Sequence, residues 1–500
     1  MSLLDLTGGV PGVRHLAPGG RDDPGADDQA AATRVGAIRY RSGDVEPGDL
    51  FACLVGARTD GHEFAADAVA RGAAALITEH PLDLPVPQAL VPDSRVAMSL
   101  AAVRAEGDPS AHLTVVGITG TNGKTTSAYL MRAVFEAAGV SCGLMGTVEI
   151  RVGGVSSVPS HTTPESVEIQ WLLSAMLAAG DAACAMEVSS HALAQHRVAG
   201  VRFSAALFTN LTRDHLDYHG DEESYFQAKR ALFARPEGQG DNPPGAVNLD
   251  DAAGRRLATE LPVLGFGIDA SDADVAPQSL DLGAGGFTAR VRTPRGPLDI
   301  TSSLRGRFNV SNVLGVVAVG ELLGLDHAAV AAGLAALRGV PGRLEPIEAG
   351  QPFQVLVDYA HTPDSLENVL RTTRDLAGRG RLIVLFGCGG DRDAGKRPQM
   401  GAIGRSLSDV CIVTSDNPRS EDPEAIIRDI VAGAGDGAAQ LVVEPDRRAA
   451  ISLAVQAADP GDVVLIAGKG HESGQEIAGV ITPFDDRVVA RQALGQGLAA

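Results

Sequence analysis

The stretch Gly117-Ile-Thr-Gly-Thr-Asn-Gly-Lys-Thr-Thr126 constrains the fold of this chain more than any other. The apolar run Leu113–Ile118 leads into it and reads as a strand. The segment Ser127-Ala-Tyr-Leu-Met-Arg-Ala-Val-Phe-Glu-Ala-Ala138 follows it, reads as an amphipathic helix and is closed by Gly139. A glycine-rich turn between strand and helix aims backbone N–H groups and a helix N-terminus at one point, which suits polyphosphate. Lys124 is then placed for the outer phosphates and Thr125 for a magnesium ion. The spacing departs from the strict phosphate-loop pattern: the first glycine falls one residue early, and Ile118 occupies its place.

A chain of 500 residues is too long for one core, so two to four domains are expected. Sixty glycines and 28 prolines suit the many tight connections of an α/β fold. The formal charge of −20 argues against nucleic acid or an anionic membrane as the main partner, but local Arg and Lys can still govern a pocket for an anionic substrate. Cys53, Cys142, Cys184, Cys388 and Cys411 are scattered, lack metal spacing and mostly lie in apolar runs. They read as reduced core residues of a cytoplasmic protein. The N-terminus lacks the basic and apolar regions of an export signal. No apolar stretch is long enough to span a bilayer, so neither export nor a membrane span is expected.

Residues 8–34, rich in Gly, Pro and Asp, read as irregular or partly mobile. Residues 35–106 read as a small α/β domain, with Pro109 near its boundary. The second unit runs to about residue 338, with strands expected over 113–118, 182–188 and 203–209 and helices over 124–138, 165–179 and 221–234. Residues 286–304 break the rhythm as a β-hairpin. The expected division is 1–108, 109–338 and 339–500.

In the third unit four apolar runs each lead at once into a polar cluster. Val355-Leu-Val leads to Asp358-Tyr-Ala-His361, and Leu382-Ile-Val-Leu-Phe to Gly387-Cys-Gly-Gly-Asp-Arg392. Val410-Cys-Ile-Val precedes Asp416-Asn-Pro-Arg419, and Val463-Val-Leu-Ile-Ala precedes Gly468-Lys-Gly-His-Glu472. Helical segments separate the runs, so the sheet should be parallel with right-handed crossovers. Open parallel sheets bind ligands at the carboxyl ends of their strands, where all four clusters fall.

Other residues admit chemistry or plain structure. Glu187 ends the apolar run Ala183-Cys-Ala-Met and should project toward the phosphate loop; its plainer reading is a cap for the next helix. Asp214, His215, Asp217 and His219 are spaced too tightly for a closed zinc shell, and no cysteine joins them. Lys229, in Glu222-Glu-Ser-Tyr-Phe-Gln-Ala-Lys-Arg, reads unaided as a solvated helix lysine. Asn309 and Asn312 open an apolar helix, and capping accounts for one of them.

The chain resembles the Mur ligases, the ATP-dependent amide-forming enzymes of peptidoglycan precursor synthesis. The match extends from about residue 45 to the end. They are Gly120-Thr-Asn-Gly-Lys-Thr125, Thr162-Thr-Pro164, Glu187-Val-Ser-Ser-His191, Asp214-His-Leu-Asp-Tyr-His219, Asp358-Tyr-Ala-His-Thr-Pro363, Asp416-Asn-Pro-Arg419 and Gly468-Lys-Gly-His-Glu472. Within the family the resemblance is to the branch that adds the third residue, diaminopimelate or lysine, to UDP-N-acetylmuramoyl-alanyl-glutamate. It implies three domains: a small N-terminal α/β domain for the UDP end, a central ATPase domain with a mostly parallel sheet, and a C-terminal Rossmann-like domain for the amino acid. The family habit is a monomer.

Making an amide from a carboxylate and an amine needs an activated carboxyl, which ATP supplies as an acyl phosphate. Phosphoryl transfer depends mostly on positioning and charge neutralisation. The resemblance implies that Gly120, Thr121, Asn122, Gly123, Lys124, Thr125 and Thr126 hold ATP. It puts Asn309 and Asn312 near adenine, and Arg343 and Asp358 on the nucleotide from the third unit. It makes Glu187 and His215 ligands of a second magnesium, beside the one assigned to Thr125, and Lys229 a magnesium ligand once carbamylated. That modification needs a neutral amine first, hence burial or neighbouring cations. Lys124, Glu187, His215 and Lys229 are the implied catalytic group.

Thr162, Thr163, Ser189, Gln195 and Arg197 match the contacts to the nucleotide-sugar peptide; unaided, Arg197 reads equally as a surface ion pair. Arg392, Asp416, Asn417, Pro418, Arg419, Gly468 and Glu472 match the contacts to the incoming amino acid. Diaminopimelate differs from lysine by a distal carboxylate, which an arginine grips in bidentate fashion. Arg419 supplies it, and Glu472 suits an ammonium. One departure stands out: where the family carries Asp-Ser-Arg this chain has Arg41-Ser42-Gly43. Ser42 alone remains as a candidate contact to the uridine end. A lysine-adding or secondary-pathway paralogue, a folylpolyglutamate-type ligase, an ATP-driven switch and a non-catalytic binding protein are the rival readings.

Overall fold

The computed structural model describes residues 1–56, 59–235, 242–283 and 285–495. Its three α/β domains are each built on a sheet. The first sheet is ordered Arg14–Leu16, Gln88–Leu90, Ala75–Thr78, Leu50–Ala52, Ile38–Arg39, parallel except at Arg14–Leu16. Residues 8–34 are therefore only partly irregular. They contribute that strand and the helix Ala26–Ala32, while Leu3–Thr7 forms a helix before them. A capping box between Ser2 and Asp5 starts the first helix. His15 then clamps the segment, contacting Thr7 Oγ1 and Asp27 Oδ1 at 2.8 Å each. Composition missed this because the anchoring apolar residues, Leu3, Leu6, Val10, Leu16 and Ala30, are widely spaced among Gly, Pro and Asp.

The second sheet has eight strands, ordered Val263–Phe266, Gly245–Asn248, Ala205–Phe208, Thr114–Thr119, Ala183–Glu187, Cys142–Met145, Ile150–Val152 and Val155–Ser157. The first six run parallel and the last two form an antiparallel extension. The inner strands are buried on both faces, as helices on either side of a parallel sheet require. The helices expected here form over Lys124–Ala137, Ser166–Ala178 and Glu222–Arg230. The third is shorter than expected. Past Arg230 the backbone tightens, with Leu232 N donating to Lys229 O and Phe233 N to Arg230 O.

The expected hairpin is the Gly286–Arg292 and Leu298–Ser302 part of a three-stranded antiparallel sheet. Its third strand, Ala276–Gly283, carries a proline and lies mostly exposed at the edge. The helix Arg307–Leu322 is buried almost all round. Its N-cap is Gly306, so neither Asn309 nor Asn312 is a cap.

The third sheet is ordered Glu345–Pro346, Gln354–Asp358, Val463–Ala467, Leu382–Phe386, Val410–Val413, Gln440–Val443, parallel except at its first strand. All four apolar runs are strands, and their order sets the four polar clusters side by side along one edge. A hairpin, Gly474–Ile477 and Val480–Pro483, lies beyond the last cluster. Side chains tie the domains together: Tyr40 donates to Glu168 Oε1 at 2.7 Å, and Asn122 Nδ2 to Asp364 Oδ2 at 2.9 Å. Among the described residues no helix is long and apolar enough to cross a membrane.

Candidate active site

The phosphate loop sits between the strand Thr114–Thr119 and the helix Lys124–Ala137. Gly123 caps the helix at φ 88°, and a Cβ there would meet Asn312 Oδ1 at 2.3 Å. Glycine is thus required twice over, for backbone sign and for the approach of the Asn312 amide. Asn309 stands behind it, its Oδ1 accepting from Asn312 Nδ2 at 3.1 Å. Lys124 Nζ curls over the loop and donates to Gly120 O and Thr121 O, both at 2.8 Å. Thr121 Oγ1 donates to Thr212 O, and Thr126 is buried in the helix's first turn.

Three groups converge on this loop. Glu187, 1% exposed, ends its strand beside Thr125, whose Oγ1 donates to Glu187 Oε2 at 3.0 Å. The helix that follows is capped by Ser189, so Glu187 has no capping role. Lys229 is also 1% exposed and donates to Gly120 O at 2.8 Å, its Nζ 4.6 Å from the centre of the Tyr225 ring. It is not a solvated helix lysine. Burial, and then the ammonium of Lys124, hold its pKa well below the usual amine range. Arg343 arrives from the third domain and donates from Nη2 to Thr125 Oγ1 at 3.0 Å, its guanidinium over the Tyr359 ring.

His215 stands at the mouth of this group in the left-handed region, φ 54°. Its ring edges onto His191 at 4.8 Å between centroids. Burial draws its pKa down to about 4; Asp214 opposes the shift, and Lys124 and Lys229 add to it. The imidazole is therefore neutral at pH 7, as a metal ligand must be. No group of three or more His, Cys, Asp or Glu arranged for a metal ion occurs among the described residues. Asp358 ends the strand Gln354–Asp358. Its carboxylate, raised in pKa by burial, accepts from Leu344 N at 2.7 Å and Ala360 N at 2.8 Å, and so fixes the segment that carries Arg343.

The nucleotide-sugar candidates form one group. Thr163 Oγ1 donates to Glu187 O and accepts from Ser189 N. Arg197 donates to Thr163 O at 2.8 Å and, through two nitrogens, to Gln195 Oε1. It also pairs with Glu165 at 2.9 Å, and Arg95 of the first domain approaches the same carboxylate at 3.9 Å. Thr162 Oγ1 donates to Thr147 Oγ1, 3.1 Å away, whose own proton goes to Glu187. Ser42 lies apart in a 3₁₀ turn, hydrogen-bonded to Asp67.

The amine-side candidates meet at the edge of the third sheet. Asn417 Nδ2 donates to Glu472 Oε2 at 2.8 Å. Asp416 is buried against Gly468, where a Cβ would lie 2.6 Å from Asp416 Oδ2. Arg419, at φ 53°, is held by backbone bonds to Glu476 and Ala478 and donates from Nη1 to Gly390 O at 2.7 Å. The Arg392 and Pro418 loops touch so closely that a Cβ on Gly390 would lie 1.9 Å from Pro418 O. Arg392 itself is exposed and contacts Asp391 O at 3.3 Å.

A cavity of about 640 Å³ joins the two halves: Tyr129, Thr147 and Glu149 line one side, and Asn417, His471, Glu472 and Glu476 the other. Thr147 carries the connection. Its backbone N–H donates to Glu187 Oε1 at 2.8 Å and its hydroxyl to Glu187 Oε2 at 3.0 Å. The sequence reading passed over Thr147, although it closes another strand end in the same sheet. It also left Lys469 and Asp364 without a role, although Lys469 lies within a marked motif.

A strand–glycine loop–helix unit facing the strand ends of a second parallel sheet defines a phosphate-using α/β enzyme that brings two reactants together. The chain matches the Mur ligase family catalytic domain over residues 34–133, the Mur ligase middle domain over 118–320 and the Mur ligase glutamate ligase domain over 342–470. It belongs to the Mur ligase family, whose members are ATP-dependent amide ligases. It is 45% identical over 501 residues to the UDP-N-acetylmuramoyl-L-alanyl-D-glutamate–2,6-diaminopimelate ligase of Geobacillus kaustophilus, covering 99% of both chains. The ligase of that name from Streptomyces coelicolor is 44% identical over 486 residues, 95% of each chain. A solved structure of a ligase of that name superposes with a TM-score of 0.66 at 35% identity, over 92% of this chain and 95% of the other. MurF from Acinetobacter baumannii, at 20% identity and a TM-score of 0.64, shares the fold over 93% of this chain and 95% of its own.

Proposed function

We propose that this enzyme uses ATP to join 2,6-diaminopimelate to the glutamate end of UDP-N-acetylmuramoyl-L-alanyl-D-glutamate, a step in building peptidoglycan precursors. The observation that carries this reading is the shared cavity: Thr147, bonded to the Glu187 carboxylate, faces Asn417 and Glu472 across it. A group activated beside the phosphate loop and an amine held at the third sheet meet there. The relatives' common name supports the same reaction.

In this reading the backbone N–H groups of residues 120–126 and Lys124 hold the outer phosphates, and Asn309 and Asn312 shape the wall toward the base. Thr162, Thr163, Ser189, Gln195 and Arg197 orient the peptide so that its free carboxylate points at the γ-phosphorus, with Ser42 toward the uridine end. A carboxylate oxygen attacks phosphorus, the bond to the β,γ-bridging oxygen breaks, and ADP leaves with that electron pair. Arg343 and Lys124 stabilise the charge that builds on the transferring group. The amine nitrogen then attacks the acyl carbon, the carbon–oxygen bond to phosphate breaks, and the nitrogen's excess protons pass to solvent. Asn417 and Glu472 orient the attacking end of the amino acid. Arg392 and Arg419 recognise the distal carboxylate, which favours diaminopimelate over lysine.

The donor set fits magnesium. The Thr125 hydroxyl and Glu187 carboxylate are hard oxygens 3.0 Å apart, and a carbamate on the buried Lys229, whose burial disfavours the charged amine, would add another beside His215. Bound there, magnesium neutralises phosphate charge. We place the protein in the cytoplasm as a monomer without nucleic-acid partners. The test is phosphate release measured with each nucleotide-sugar precursor and each amino acid in turn. Release that requires both the dipeptide precursor and diaminopimelate is expected. Release that requires neither would overturn the assignment.

A further inference from the structure

Lys469 is completely buried, yet the polar atoms around it belong to the amine site. Its Nζ donates to Asn417 Oδ1 at 3.0 Å and to Glu472 Oε2 at 3.1 Å. Glu476 N donates to the same Asn417 oxygen at 3.0 Å. Two donors on Oδ1 leave the Asn417 amide one orientation, with Nδ2 toward Glu472, and that bond is made at 2.8 Å. Glu472 Oε2 is thereby occupied twice, by Lys469 and by Asn417. Its second oxygen has no such partner among the described residues, and Glu472 lines the cavity shared with the phosphate-loop side.

The charges compound the geometry. A cation without solvent, 3.1 Å from a carboxylate, cancels most of that carboxylate's field in the cavity. The next acid along, Glu476, already faces Arg419 at 3.7 Å. Both glutamates of this wall thus have a basic partner. Diaminopimelate has no net charge at pH 7, having two ammonium and two carboxylate groups, whereas lysine carries one net positive charge. A wall whose acids are matched by cations attracts the first no less than the second. Removing one buried cation makes it a unit more negative, and only lysine gains.

We propose that Lys469 is a specificity-determining positioning residue: by fixing the Asn417 amide and neutralising Glu472, it keeps the amine site selective for an uncharged diamino diacid over a singly positive diamino acid. This rests on the amide-ligase reading above and adds to it a residue beside those matched to the amino acid.

The test compares wild-type enzyme with Lys469→Met, an uncharged side chain of similar length, using diaminopimelate and L-lysine in the phosphate-release assay. The ratio of kcat/KM for diaminopimelate to that for lysine is expected to fall at least tenfold. KM for diaminopimelate should rise, with kcat within about threefold and KM for ATP and the nucleotide sugar unchanged. Adding Glu472→Gln to Lys469→Met removes the surplus charge while keeping the acceptor for Asn417, and should return the ratio toward that of wild type. An unchanged ratio in Lys469→Met, or a double variant no more selective than the single one, would overturn the proposal. Should Lys469→Met not fold, Lys469→Arg keeps the charge: a wild-type ratio supports the proposal, and a ratio shifted tenfold toward lysine refutes it. Wild-type enzyme without diaminopimelate-dependent release would instead defeat the underlying reaction, so the two failures are told apart.

Discussion

Lys124 and Lys229 come from different helices and donate to the same oxygen, Gly120 O, each at 2.8 Å. Burial disfavours the charge on both; Glu187 and Asp214 oppose this at Lys124, whereas the Lys124 ammonium adds to it at Lys229. A neutral lysine amine is a nucleophile toward carbon dioxide, the property needed to make a carbamate.

Lys229→Ala is expected to lose at least 100-fold in kcat while keeping its KM for the nucleotide sugar, and short carboxylic acids should restore part of the rate. Steady-state kinetics with and without added acid provide the check. Wild-type-like turnover would show that no anionic oxygen is needed at this position.

The same lysine gives a pH signature. Its pKa is depressed in the folded protein, so the unfolded chain binds one proton more in the window between the depressed value and the ordinary 10.5. Folding stability from this group therefore rises as pH rises through that window. Lys229→Met should flatten that rise in urea-unfolding midpoints measured from pH 7 to 10; a slope equal to wild type would contradict the burial of an uncharged amine.

Arg343→Met should raise KM for ATP and lower kcat/KM by about 10- to 100-fold. A hydrogen bond to a charged group contributes about 1.5–3 kcal/mol. Initial rates against ATP concentration decide it, and binding of diaminopimelate should not change.

Arg419→Ala should raise KM for diaminopimelate at least 30-fold, since loss of a charge-assisted pair costs about 2–5 kcal/mol. KM for the nucleotide sugar should stay near that of wild type. An unaltered KM for diaminopimelate would assign the distal carboxylate to another residue.

Arg447 and Asp486 form a pair that is 0% exposed on both sides, and Arg447 also donates to Ser415 O and Ala467 O, the ends of two site-bearing strands. Asp486→Ala should cost about 3–5 kcal/mol by stranding a buried cation. A thermal melt should show it as a drop of several degrees.

Much of this was legible before any coordinates. The four apolar runs of the third domain were readable as strands because short apolar runs of three to five residues, bounded by turn signals and separated by helical segments, suit strands of a parallel sheet buried on both faces. Glu187 could be placed beside the loop because the register of adjacent parallel strands carries one strand end to the next, Glu187 opposite Ile118. Tertiary effects stayed hidden. Lys229 lies on a helix face that looks polar in one dimension, and only packing shows that the face is inside. The segment 8–34 looked irregular because its order comes from His15 bridging Thr7 and Asp27, contacts that no local periodicity records. Thr147 bears no motif, and its importance comes from standing where Glu187 and the amine cavity adjoin.

The contacts of Arg343 with Thr125 and of Asp364 with Asn122 mean that the phosphate loop, the proposed seat of the nucleotide, is braced by the third domain as well as its own. Exchanging the C-terminal module between relatives to change which amino acid is accepted would also exchange the residues that brace the phosphate loop. A chimera designed for a new amine would keep its nucleotide affinity only if positions 343 and 364 still suit the host's loop.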